Sequence, residues 1–163
     1  MPERQLLLAW LNDAYAMEEA LIPILENHAK DTRDHPQVRA RIEQHLTETR
    51  RHADLVRGCI ELMGEKPSAG KSAVGKLIGN MVAPSTGPFR DELIKNAIAD
   101  FAAEHFEIAS YTALRAAAQE VGNDHIIRTC EQILADEQAM ARWLEGNLPN
   151  TVQETLRTAE VAR

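Results

Sequence analysis

The sequence is poor in cysteine, in positive charge and in long apolar runs, and each shortage removes a class of protein. The apolar run Leu6 to Leu11 passes straight into NDAYAMEEALI. It is far shorter than the about 20 residues a membrane helix needs, and no small-residue cleavage pattern follows it. It reads as part of a first helix, and the chain as cytoplasmic, with no membrane as partner. The only cysteines, Cys59 and Cys130, form no CxxC or other metal-binding pattern, so they read as reduced core thiols. With 18 lysines and arginines against 25 aspartates and glutamates, the net charge is −7. This argues against nucleic acid or an anionic membrane as partner and suits a small or cationic ligand. A length of 163 residues fits one domain with a single core.

What the sequence does have is helical periodicity. Four rows alternate steps of four and three residues, the seam by which one helix meets others. The first, Leu7, Leu11, Ala14, Glu18, Leu21, Leu25 and His28, predicts a helix from about 3 to 30 with a kink at Pro23. The second, Val38, Ile42, His45, Thr49, His52, Val56, Cys59 and Met63, begins near Pro36 and stops at Gly64, with Glu48 beside the row. Residues 64–90 gather five of the eight glycines and three of the seven prolines, marking a long connection with a short helix from about Lys71 to Val82. Within it GEKPSAGKS resembles a phosphate-binding loop, but its first glycine stands one residue too far from GKS and no strand precedes it. The third row is Leu93, Ala97, Asp100, Glu104, Glu107, Tyr111, Leu114, Ala118 and Val121, predicting a helix from about Asp91 to Glu120 ended by Gly122 and Asn123. The fourth is Ile126, Cys130, Ile133, Glu137, Met140, Leu144 and Leu148, predicting Asp124 to Asn147. Residues 1–149 then form the bundle, and 150–163 after Pro149 form a polar C-terminal tail.

Two hairpins joined by a long crossover make an all-α four-helix bundle. A weak internal repeat supports this: Glu18 to Glu48 and Glu104 to Glu137 each span one helical pair with an acid in both helices.

Those acids are the anomaly. A single glutamate beside a seam ordinarily reaches solvent or an arginine. Glu18, Glu48, Glu104 and Glu137, however, each lie near the middle of their helix. At about 1.5 Å rise per residue, four midpoints of one bundle meet at one level. Close carboxylates in a dry core must take up protons or bind cations. No lysine or arginine interrupts the rows near them, so two divalent ions against four carboxylates are the simplest neutralisation. Carboxylate with a little imidazole suits iron or manganese rather than thiolate-preferring metals. His45 and His52 flank Glu48 by one turn on either side, and either could reach a metal held there; His45 is the first choice. Glu107, one turn past Glu104, is the natural fifth acid. Asp100 and Asp136 are possible hydrogen-bonding partners of the ligands, as are Tyr15 and Tyr111. His28, His35, His105 and His125 are assigned structural places. The candidate ligands are therefore Glu18, His45, Glu48, Glu104, Glu107 and Glu137 of a dinuclear site.

The stretches DAYAMEEAL (13–21), RARIEQHLTET (39–49), EHFEIASYTALRAAAQEVG (104–122) and ILADEQAMARWL (133–144) resemble the ferritin-like family that includes the YciE and YciF stress proteins of bacteria, most closely the YciE branch. The resemblance implies a ferritin-like bundle, a homodimer and a carboxylate-bridged dimetal centre of the rubrerythrin type, with Glu18, Glu48, Glu104, Glu107 and Glu137 at matching positions. The wider ferritin-like pattern places a histidine three residues after the glutamates of the second and fourth helices. Arg51 and Met140 stand there instead, so the fourth helix offers no nitrogen ligand and the two metal positions are expected to be inequivalent. The function this suggests is redox chemistry on oxygen or peroxide in a stress response. A non-enzymatic metal-dependent dimer, or an iron-handling protein, would use the same ligands.

Overall fold

The computed structural model describes residues 2–32, 34–68, 73–82 and 91–161. Five helices follow in order: α1 (Pro2–Asp31), α2 (Pro36–Leu62), α3 (Ala73–Val82), α4 (Glu92–Val121) and α5 (Asp124–Val161). There is no strand among the described residues. α1 packs chiefly on α2 and α4 chiefly on α5, giving two hairpins; α1 against α4 and α2 against α5 join them. The short α3 lies on α1 and α4, with Ile78 fully buried. The expected helix start at Lys71 lies outside the described residues, as does the GKS triplet at 70–72.

The hairpin turns follow from local chemistry. α4 ends where Gly122 adopts a left-handed conformation (φ 72°, ψ 36°), open to glycine at no steric cost. There the Asn123 N–H donates to the Ala118 carbonyl at 2.9 Å. The Asn123 side-chain oxygen then accepts from the Ile126 N–H at 3.2 Å, starting α5 one residue later. At the other hairpin the Thr32 hydroxyl closes α1 on the carbonyls of His28 and Ala29, and Pro36 opens α2 at a position that needs no N–H.

α5 corrects the expected end near Asn147. The helix continues through Pro149 to Val161, so residues 150–161 extend it instead of forming a separate tail. Proline removes one N–H and crowds the preceding turn, but Pro149 is exposed and the turns around it are reinforced. Asn147 donates to the Trp143 carbonyl at 2.9 Å, and Thr151 to the Asn147 carbonyl at 3.1 Å. Thr151 is buried, and Glu154 reaches His35 of the first hairpin's turn at 3.7 Å.

The interior is apolar towards both ends and acidic in the middle. Leu7, Leu11, Val56, Ile60, Leu114 and Ile126 at one end, and Leu21, Leu25, Ala29 and Ile42 at the other, belong to one core. Between its ends, Glu18, His45, His52, Glu104, Glu107 and Glu137 are all buried, none more than 2% exposed.

Candidate metal centre

Each of the four long helices delivers polar side chains to this level because its seam does so: Glu18 from α1, His45 and His52 from α2, Glu104 and Glu107 from α4, and Glu137 from α5. They form two overlapping sets. His45, Glu104, Glu107 and Glu137 offer ligand atoms all within 4.8 Å of one another, as do Glu18, His52 and Glu137. Glu137 belongs to both. His45 Nε2 lies 2.8 Å from Glu104 Oε1 and 3.7 Å from Glu137 Oε2. His52 Nδ1 lies 2.7 Å from Glu137 Oε1 and 3.8 Å from Glu18 Oε1. The first of these His52 approaches is close yet out of line for a well-formed hydrogen bond. Tyr111 donates its hydroxyl proton to Glu18 Oε1.

The electrostatics are those of acids crowded out of water. Burial, reinforced by the charge of Glu137, pushes Glu18 up to about 8. The same two causes, in the same order, push Glu104 and Glu107 well above the usual carboxylate range. Glu137 goes the other way: burial would raise it, but His52 and His45 on either side outweigh burial and hold it low. His52 is pushed up to about 8, because its contacts with Glu137 and Glu18 overcome the burial that disfavours its charge.

Five of the six candidate ligands are therefore brought together. Glu48 stands apart. Its side chain is partly exposed and points away from both sets, accepting from Gln44 Nε2 at 2.8 Å and from His45 Nδ1 at 3.1 Å, with Arg41 at 3.3 Å. Against burial, these partners hold it down at about 2. His52, an open alternative in the sequence, completes the second set. Its signal was its place in the α2 row, seven residues after His45. Asp136 receives His52 Nε2 at 2.9 Å and also binds Arg51. Asp100 forms a separate buried pair with His28, Nδ1 to Oδ1 2.8 Å. Met140 is buried and Tyr15 half-buried. His105 is exposed, its Nδ1 donating to the Phe101 carbonyl at 2.9 Å.

The donor set fits a metal better than it fits protein alone. Among the described residues, Glu18 Oε2, Glu104 Oε2, both oxygens of Glu107 and Glu137 Oε2 are buried without a hydrogen-bond partner. Orphaned buried acceptors on this scale are costly unless something else satisfies them. Carboxylate with imidazole is a donor chemistry for iron, manganese or zinc.

The model of the family described as "Domain of unknown function (DUF892)" matches residues 3–157. The chain belongs to this family. It is 32% identical to a protein of Xanthomonas campestris pv. campestris, covering 98% of this chain and 99% of that one, with a TM-score of 0.84. The Escherichia coli stress protein YciF matches at 21% identity over 93% of this chain and 97% of its own, TM-score 0.82. A Desulfovibrio desulfuricans bacterioferritin with a diiron site matches at 21% identity over 93% and 83%, TM-score 0.75. The fold is thus a ferritin-like four-helix bundle of the YciE/YciF type, as the sequence resemblance implied, and its buried histidine and glutamate cluster fits a dimetal site. No described helix is long and apolar enough to cross a membrane.

Proposed function

We propose that this DUF892 member is a dimetal-carboxylate protein that binds two iron or manganese ions and acts on oxygen or peroxide as part of a stress response. The observation that carries the reading is the set of unpartnered buried oxygens on Glu18, Glu104, Glu107 and Glu137. Four carboxylates and two neutral imidazoles balance two divalent ions. Bound iron or manganese would supply one-electron redox chemistry and open coordination positions. The chain's own contributions are distinct. Glu137, common to both sets, would be shared between the ions. Glu107, with neither oxygen engaged, is free to reorient as charge changes, and Tyr111 fixes Glu18 through its hydroxyl. The apolar core on either side keeps water from the centre.

The test is metal content of protein purified without chelator and then supplied with Fe(II) or Mn(II), followed by peroxide consumption. About two ions per chain are expected from the two ligand sets. A reconstituted sample holding none would end the reading.

The chain is also expected to form a homodimer. On α1, Leu6 and Trp10 are 54% and 44% exposed, and with Ala113, Ala116 and Val121 of α4 they line a groove of about 510 Å³, an apolar surface of the kind that marks interfaces. Light scattering at micromolar concentration should give twice the 18.2 kDa chain mass; a monomer mass refutes it.

A further inference from the structure

The two histidines of α2 share an arrangement that the ligand sets do not explain. Each turns one ring nitrogen to the acid cluster and the other to a carboxylate that belongs to neither set. Each of those outer carboxylates also binds an arginine. For His45 the inward atom is Nε2, 2.8 Å from Glu104 Oε1. Its outward Nδ1 is 3.1 Å from Glu48 Oε2, which Arg41 also approaches at 3.3 Å. For His52 the inward atom is Nδ1, 2.7 Å from Glu137 Oε1, and the outward Nε2 is 2.9 Å from Asp136 Oδ2, which Arg51 also contacts. The same motif thus occurs twice, with the ring edges reversed.

A neutral imidazole carries one proton, and a carboxylate on one nitrogen keeps the proton there, leaving the lone pair of the other for an ion. We propose that Glu48 and Asp136 are positioning residues that, with Arg41 and Arg51, hold His45 to bind through Nε2 and His52 through Nδ1, so that each ligand set has one nitrogen donor from α2. This rests on the dimetal reading above and changes its symmetry. The nitrogen that Met140 cannot supply from α5 comes from the second histidine of α2.

Two further observations separate this role for Glu48 from that of a ligand. Both its oxygens are engaged, Oε1 by Gln44 and Oε2 by His45 and Arg41, whereas the clustered acids keep unpartnered oxygens. Its charge is met by Arg41, so the four glutamates of the sets balance two divalent ions without it.

The test uses Zn(II), a closed-shell probe, with the full ¹⁵N-labelled chain and long-range ¹H–¹⁵N spectra of the imidazoles. Zinc is expected to shift Nε2 of His45 and Nδ1 of His52 to metal-bound values while the opposite nitrogens stay protonated. Zinc bound with either histidine unperturbed, or bound through its other nitrogen, overturns the proposal and leaves the dimetal reading standing. No zinc bound at all defeats both. Affinity gives a second readout. Glu48→Gln and Asp136→Asn keep an acceptor oxygen and should stay within about threefold of wild type, while Glu48→Ala and Asp136→Ala should lose about 10–100-fold. Glu104→Gln, a ligand change, should lose more than either alanine variant. If Glu48→Gln falls as far as Glu104→Gln, Glu48 is a ligand and the assignment is wrong.

Discussion

Removing metal should make this protein less stable as pH rises from 5 to 8, the reverse of the usual behaviour of a protein rich in salt-bridged acids. Glu18 titrates at 4.5 in the unfolded chain and about 8 in the fold. Its contribution is therefore complete below pH 4.5 and lost as pH climbs through 8. His52, raised from 6.5 to about 8, acts in the same direction over the upper part of that window, and so do Glu104 and Glu107. Glu48 and Glu137 are lowered; their stabilisation is complete above about 4.5 and disappears only in stronger acid, so they do not oppose the trend. At about 1.4 kcal/mol for each pH unit over which the fold holds one extra proton, Glu18 alone gives on the order of 5 kcal/mol across its window. Spread over a chain of this size, that is a fall of about 10–20 °C in melting temperature. The assay is thermal unfolding of chelator-treated protein from pH 5 to 8, beside Glu18→Gln, which carries no titrating proton and should show a flatter profile. A melting temperature of the metal-free protein that rises through this range would refute the shared buried cluster.

Three perturbations away from the cluster test the frame that holds it. Leu11→Ala removes a side chain only 1% exposed and should cost about 2–5 kcal/mol in urea unfolding. Gly122→Ala meets no neighbouring atom within 4 Å, so its expected cost of about 1 kcal/mol comes only from the left-handed backbone. Asp100→Ala deprives buried His28 of its carboxylate and should cost about 1–3 kcal/mol, read by the same unfolding curves.

The bundle was legible in the sequence because a seam is a geometric fact. The row Leu7, Leu11, Ala14, Glu18, Leu21, Leu25, His28 is buried at every position, and the rows of α2, α4 and α5 are buried through their middles. Counting turns also put the acids at one level. Two things were not legible. Glu48 sits one position off its row, where a small rotation decides between core and flank; Arg41 and Gln44, seven and four residues earlier on that flank, draw it outward. The end of α5 was missed because proline rules describe an isolated helix, whereas Thr151 and Glu154 hold the continuation against the rest of the bundle.

The division of ligands between the hairpins bears on the order of folding. One set takes His45 from the first hairpin and Glu104, Glu107 and Glu137 from the second; the other takes Glu18 and His52 from the first and Glu137 from the second. Each hairpin is built from near-neighbour contacts and can form quickly by itself, yet neither owns a full set. Docking of the two hairpins, the step with the greatest sequence separation, is therefore the one that creates the centre. An ion arriving late in folding would act as a latch on that final step, slowing the hairpins' separation far more than it hastens their formation.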